Sequence, residues 1–280
     1  MYFGVPTKDP MNIPFIKDFS LFPFIDKVNL NNLINIVESE MVYDDDGYNF
    51  YSIPILYEYR NNIVLKNIWK NIRNGDIVTN RGVKRSLAAD IKNQVIERKV
   101  VNIDGKEINI NLISRGEKKK LTVAKFNSGY QAESSVFQYA MKDYTIYRYM
   151  RCYNKDLNCF VHYTCEIDGF VKNENGYLFP VEFKCLRTKQ IDKFTMYRSI
   201  KIDTAIQCRL AGIKDIIVGA RNGPKIKLQH FKLNDSKIDI KNNVECAILR
   251  MKRNMKALVK NSKVLEFQKK RAGGKRRNSM

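Results

Sequence analysis

Two triplets stand out as able to do chemistry: Glu166-Ile167-Asp168 and, thirteen residues further on, Glu182-Phe183-Lys184. Both fall on or beside runs that read as strands, 160–167 and 177–186, around the polar turn Asn173-Glu174-Asn175-Gly176. Residues two apart on a strand share a face, so Glu166 points with Asp168, and Glu182 with Lys184. If the two strands pair, three carboxylates and one ammonium group converge on one face. Such a cluster is costly to bury unless a divalent cation neutralises it, and an all-oxygen donor set favours Mg2+ or Mn2+, as one ion or two. A cation held there turns bound water into a nucleophile and steadies the charge of a phosphodiester displacement, with a lysine adding positive charge at the phosphate. The bland alternative is a cross-strand salt bridge on an exposed sheet.

An Asp, thirteen residues, then Glu-x-Lys resembles the core of the PD-(D/E)xK nuclease superfamily. A closer resemblance runs over about residues 75–223. Arg81-Gly82 follows the apolar run Ile77-Val78-Thr79-Asn80, and Gly129-Tyr130-Gln131-Ala132-Glu133 precedes the two triplets. Gln207-Cys208-Arg209-Leu210-Ala211-Gly212 and Ile216-Ile217-Val218-Gly219-Ala220-Arg221 then follow. In kind and order these elements resemble the DXO family of eukaryotic decapping exoribonucleases, including the fungal relatives that bind a nuclear 5′→3′ exoribonuclease. The chain departs from the family pattern at Cys165, usually Gly, at Ala132, usually a larger apolar residue, and at Thr204-Ala205-Ile206, where tryptophans are common. These departures bear on substrate preference; the acidic positions are all present.

The resemblance implies a mixed α/β fold of two β-sheets with flanking helices around a PD-(D/E)xK-nuclease-like core. It implies that Glu133, Glu166, Asp168 and Glu182 hold the metal, with the backbone carbonyl of Phe183 as a further ligand. Lys184 and Gln207 would contact the scissile phosphate, Gln207 as a neutral donor, the alternative for Gln207 being a half-buried, satisfied amide. Arg81 would reach the 5′ phosphates or backbone of a single-stranded RNA, unless it forms a buried structural ion pair. Arg221 is expected to hold the end of the sheet. The implied activities are pyrophosphohydrolysis of 5′-triphosphate RNA, removal of non-standard caps including NAD, and 5′→3′ exoribonuclease action. The rival readings are a stabilising partner of a nuclear 5′→3′ exoribonuclease and a restriction-like DNA endonuclease.

Composition fits a polyanion partner. Fifty Lys and Arg against 29 Asp and Glu leave a net charge of +21, which draws nucleic acid at neutral pH. Residues 263–280 hold seven basic and one acidic residue, so most of the charge belongs to the body. We expect one domain over 1–262 and a basic, disordered tail over 263–280, which could serve as a nuclear import signal, an RNA-binding arm or a solubility tail. Six cysteines with no CxxC pair read as free thiols of a reducing, intracellular protein, nuclear and also cytoplasmic by the resemblance. Charges interrupt the apolar N-terminal pieces, so neither a signal core nor a membrane span is expected. Asp44-Asp45-Asp46-Gly47 lacks the further ligands of a calcium loop and reads as a turn.

The elements that must position these residues read as follows. Periodicity predicts helices over 29–40, 134–151 and 195–211, the last ending at Gly212. Ile- and Val-rich runs split by Gly-containing turns predict a sheet through 51–111, with 107–114 one strand, and 214–220 reads as a buried strand. His162 is expected to be a packed side chain, and His230 has no partner in the pattern.

Overall fold

The computed structural model describes residues 1–6, 15–30, 32–35, 55–116, 128–137, 144–193, 195–234 and 240–274. Its strands are β1 (Tyr2–Pro6), β2 (Phe24–Asp26), β3 (Leu33–Asn35), β4 (Ile77–Asn80), β5 (Gln94–Ile103), β6 (Lys106–Arg115), β7 (Tyr144–Asn154), β8 (Cys159–Ile167), β9 (Gly169–Lys172), β10 (Leu178–Arg187), β11 (Asp215–Asn222) and β12 (Lys225–Lys232). The helices are α1 (Ile55–Glu58), α2 (Ile63–Trp69), α3 (Arg81–Ala88), α4 (Ser128–Val136), α5 (Arg198–Ala211) and α6 (Lys241–Gly274). They build two six-stranded mixed sheets, in the orders β1-β7-β8-β4-β6-β5 and β2-β9-β10-β11-β12-β3, so the expected mixed α/β architecture with flanking helices is present.

Alternation along the central strands divides the core. Ile77 of β4 and Tyr163 and Cys165 of β8 join Val218 of β11, Leu210 of α5 and Met251 of α6 in one apolar cluster. The opposite face of the first sheet, with Val78, Leu112 and Tyr147, packs with Leu65 and Trp69 of α2. A third cluster joins Val181, Phe183 and Ile217 of the second sheet to Ala132 and Phe137 at α4. Strands buried on both faces read as continuous apolar runs, the pattern of β11.

Several sequence expectations are corrected. Within 29–40, Leu33–Asn35 is edge strand β3, paired with residues 225–227 of β12; residue 31 and residues 36–40, with the aspartate turn at 44–47, lie outside the described residues. Cross-strand pairing there outweighs a helical periodicity only a few residues long. The stretch 51–111 carries three helices where a sheet was expected. Asn62 caps α2 by accepting from Val64 N at 2.8 Å, and Asn80 caps α3 by accepting from Val83 N at 2.9 Å, a device that read as turn chemistry in the sequence. Residues 107–114 do form a strand, within β6.

The helix expected over 134–151 is also displaced. Helix α4 begins at Ser128 and ends at Val136, and Tyr144 starts β7, which pairs antiparallel with both β1 and β8. Its Tyr, Ile and Thr content suits a pleated, two-sided strand better than a helix. Helix α5 ends as expected at Gly212, whose φ of 65° is the left-handed cap that glycine adopts without strain. Helix α6 buries Ala247, Met251, Met255 and Val259 at intervals of four and continues to Gly274. No described helix is long and apolar enough to cross a membrane.

Candidate active site

The chain crosses from one sheet to the other at Asp168. Strand β8 ends at Ile167 in the first sheet, and β9 starts at Gly169 in the second. The two triplets therefore do not pair directly, as the sequence reading supposed: β9 intervenes and is the partner of β10. The carboxylates still meet, because Asp168 at the crossover accepts from Phe183 N at 2.7 Å and so ties the end of β8 to the middle of β10. Helix α4 supplies Glu133, α3 supplies Arg81 and α5 supplies Gln207. A cleft of about 370 Å³ forms there, lined by Arg81, Glu133, Glu166, Asp168, Lys184 and Gln207, with Phe183 beside them.

Glu182 lies behind this lining with its side chain fully buried. Its two oxygens are both engaged, Oε2 by Arg81 Nη1 at 2.8 Å and Oε1 by Lys184 Nζ at 2.5 Å. Lys184 Nζ also donates to the Phe183 carbonyl at 3.1 Å. Arg81, expected to reach RNA phosphates, is thus in a buried ion pair, since a carboxylate excluded from water needs a cation against it. Gln207 donates to Asp203 Oδ2 at 2.9 Å, and Asp203 Oδ1 accepts from Arg85 Nε at 2.8 Å. An amide nitrogen carries two hydrogens, so Gln207 keeps a second one to give.

Electrostatics divides the four acids into one ionised group and three that resist ionisation. Burial pushes Glu182 up, but Arg81 and then Lys184 outweigh it and hold the group below its ordinary value. Burial and the neighbouring Asp168 raise Glu166 to about 7. Asp168 is raised by burial and by Glu182, and Glu133 by burial and then by Asp168 and Glu166. Lys184 is held charged, because Glu182 and Asp168 overcome the burial that opposes it. Two cations face four carboxylates here, and burial with that deficit of positive charge raises Glu133, Glu166 and Asp168.

The donor set, carboxylates with the Phe183 carbonyl and no thiolate, suits a hard divalent cation. As the side chains stand, no three acidic, histidine or cysteine groups among the described residues close on a single ion position. The reason lies in their hydrogen bonds: Glu182 spends both oxygens on Arg81 and Lys184, and Asp168 spends Oδ2 on the Phe183 amide. A cation entering the cleft has to compete with Arg81 and Lys184 for Glu182.

Three cleft features escaped the sequence reading. Arg85 lies one helical turn beyond Arg81, and Asp203 one turn before Gln207, a four-residue spacing that could have exposed both. Arg115, at the end of β6, also lines the cleft and donates from Nη2 to the Gly82 carbonyl at 3.0 Å; nothing local in the sequence marks it. The expected bystanders behave differently from one another. His162 is buried, between Asp76 Oδ2 at 3.0 Å and the Tyr149 hydroxyl at 2.8 Å. His230 gains a partner the sequence did not suggest, Asp215 Oδ1 at 2.8 Å. Arg221 donates to the Gly223 carbonyl at the end of β11, as a sheet-end residue should. All six cysteines are free.

No protein-family model matches the chain by sequence, and no curated protein does. Solved structures match its fold. Rai1 from S. pombe, in complex with 3′-FADP, superposes with a TM-score of 0.56 at 16% identity, over 93% of this chain and 85% of that one. Dxo1 from K. lactis, in complex with manganese, gives 0.55 at 15% identity over 96% and 82% of the two chains. Rai1 from Candida albicans, in complex with pU5 and Mn2+, gives 0.53 at 13% identity over 92% and 81%. The chain has the fold of the Rai1 and Dxo1 proteins.

Proposed function

We propose that this chain is a metal-dependent hydrolase of RNA 5′ ends, releasing pyrophosphate from 5′-triphosphate RNA and removing non-standard caps including NAD, with 5′→3′ exoribonuclease action from the same site. The observation that carries the reading is the meeting in one cleft of Glu133, Glu166, Asp168, Lys184 and Gln207 over a fully buried Glu182. The manganese and pU5 held by the similar structures support a divalent cation and an RNA strand as the occupants. So does the net charge of +21. A nuclear location is part of the same proposal.

Glu133, Glu166, Asp168, Glu182 and the Phe183 carbonyl would hold Mg2+ or Mn2+. When bound, such an ion supplies a water of lowered pKa and a positive charge beside the phosphate. Every other contribution belongs to the chain. Lys184 sets a fixed charge against a phosphate oxygen, and the second hydrogen of the Gln207 amide gives a neutral bond to another. Asp203, itself held by Arg85, fixes the orientation of that amide.

The test is incubation with 5′-triphosphate, 5′-monophosphate, unmethylated-cap, methylated-cap and NAD-capped RNAs with Mn2+ or Mg2+, beside a Glu182→Ala, Asp168→Ala double variant. Products that form with wild type and vanish in EDTA and in the variant are the expected result. If no RNA is processed while a 5′→3′ exoribonuclease is retained stoichiometrically from cells, the scaffold reading replaces this one.

A further inference from the structure

Three arginines line the cleft, and they are not equivalent. Arg81 is committed to Glu182 and Arg85 to Asp203, both at 2.8 Å. Arg115 has no carboxylate partner among the described residues. Its Nη2 donates to the Gly82 carbonyl at 3.0 Å, and its Nε is buried with nothing to donate to. A guanidinium carries five donor hydrogens in a fixed fork, so most of this fork's capacity is unused. Burial and the adjacent Arg85 both work against the charge on Arg115. Two cations pressed together at the wall of a cleft are stabilised by whatever anion enters between them.

The Arg-Gly element explains how Arg115 is seated. A Cβ at Gly82 would lie 2.8 Å from Arg115 Nη2 and 3.2 Å from its Cζ, so a methyl there would push the end of this side chain off the first turn of α3. That turn adds its own partial positive charge to the same wall, with Asn80 already occupying the Val83 amide.

We propose that Arg115, seated on Gly82 and flanked by Arg85, forms a second phosphate seat in this cleft, taking a phosphate of the RNA other than the one held at Lys184 and Gln207. The seat rests on the reading of the cleft as an RNA 5′-end site and deepens it: it selects substrates with two phosphates close together, as in a 5′-triphosphate, a dinucleotide cap or consecutive nucleotides. Lys184 from β10 and Arg115 from β6 both line this one cleft.

The seat is tested without turnover, by fluorescence anisotropy in EDTA, on a labelled five-nucleotide RNA carrying a 5′-triphosphate, 5′-monophosphate or 5′-hydroxyl. The variants are Arg115→Met, Arg115→Lys, Gly82→Ala and, as a charge-matched control at the exposed first residue of β6, Lys106→Met. Loss of a charge-assisted, forked contact weakens binding by about ten- to hundredfold. We expect that loss with Arg115→Met, a comparable loss with Gly82→Ala, whose methyl pushes the same guanidinium away while keeping its charge, and a partial return with Arg115→Lys. A loss confined to 5′-phosphorylated RNAs identifies the seat's ligand as a terminal phosphate, and one shared with the 5′-hydroxyl RNA identifies it as a backbone phosphate. Arg115→Met binding no worse than Lys106→Met, with both melting as wild type does, overturns the proposal. The two readings fail separately. RNA hydrolysis with no Arg115 effect removes the seat alone, whereas Arg115-dependent binding without hydrolysis of any RNA removes the enzymatic reading and leaves the seat.

Discussion

Replacing Arg81 by methionine isolates the cost of the charge arrangement under the cleft. The substitution keeps most of the aliphatic stem and removes the guanidinium that holds Glu182 Oε2 at 2.8 Å. Breaking a buried pair by deleting one partner costs about 3–5 kcal/mol, because the remaining charge stays out of water. Lys184 still holds the other oxygen at 2.5 Å, which places the expected loss at the lower end, about 3 kcal/mol. At about 2–4 °C per kcal/mol for a chain of this size, Tm falls by roughly 6–12 °C. A divalent cation should recover more stability in Arg81→Met than in wild type, because Glu182 no longer has to be released from Arg81 before it can serve the metal. Saturation a hundredfold above Kd returns about 2.7 kcal/mol. Differential scanning calorimetry of both proteins, in EDTA and with Mn2+, measures both quantities. If Arg81→Met melts within about 2 °C of wild type in EDTA, the pair is solvated and the account of a buried, charge-starved cluster is wrong.

Two further predictions follow from the same region. Glu166 titrates near 7 in the fold against an ordinary 4.5; a carboxyl raised in this way contributes stability that is complete below its unfolded pKa and is lost as pH rises through the folded one. In EDTA the Tm should therefore decline between about pH 4.5 and 7, and saturating Mn2+ should flatten that slope; a Tm that rises through this window in EDTA contradicts the assignment. Gly169→Ala places a Cβ 2.5 Å from two ring carbons of Phe137, so β9 and the end of α4 must separate, at a cost of about 1–3 kcal/mol in urea denaturation. The same shift carries Glu133 away from Asp168, so hydrolysis should fall further than stability alone explains.

What the sequence disclosed depended on how local the cause was. Glu166, Asp168, Glu182 and Lys184 were legible because strand periodicity and a short connection bring them together, and they do meet, although by a crossover at Asp168 rather than by direct pairing. Gly212 was legible as a cap because its left-handed backbone is a one-residue requirement. The helices α1, α2 and α3 were not, since Asn62 and Asn80 serve as caps in a stretch whose Asn-Gly and Arg-Gly pairs imitate hairpin turns. Strand β7 was mistaken for helix because its Phe, Tyr and Ile neighbours recur at both periods, and only its two flanking strands decide between them.

The residues that sequence reasoning missed share a physical trait: their roles arise from contacts between elements far apart in the chain. Arg115 reaches Gly82 across 33 positions, and Arg85 reaches Asp203 across 118. The pairings are set by how β6 and α5 pack around α3; the four-residue spacings to Arg81 and Gln207 mark Arg85 and Asp203 as neighbours of the expected site residues but do not give their contact. Arg-Gly could be recognised as an element, yet its glycine has no evident purpose until Arg115 is seen against it. The arginine beside that glycine points to the same lesson from the other side. For Arg81 the sequence leaves two readings open, an RNA phosphate or a buried ion pair, and the fold sets its guanidinium on the buried Glu182 carboxylate at the wall of the cleft. Residue type limits what a side chain is able to do, and burial of its neighbours selects among those options.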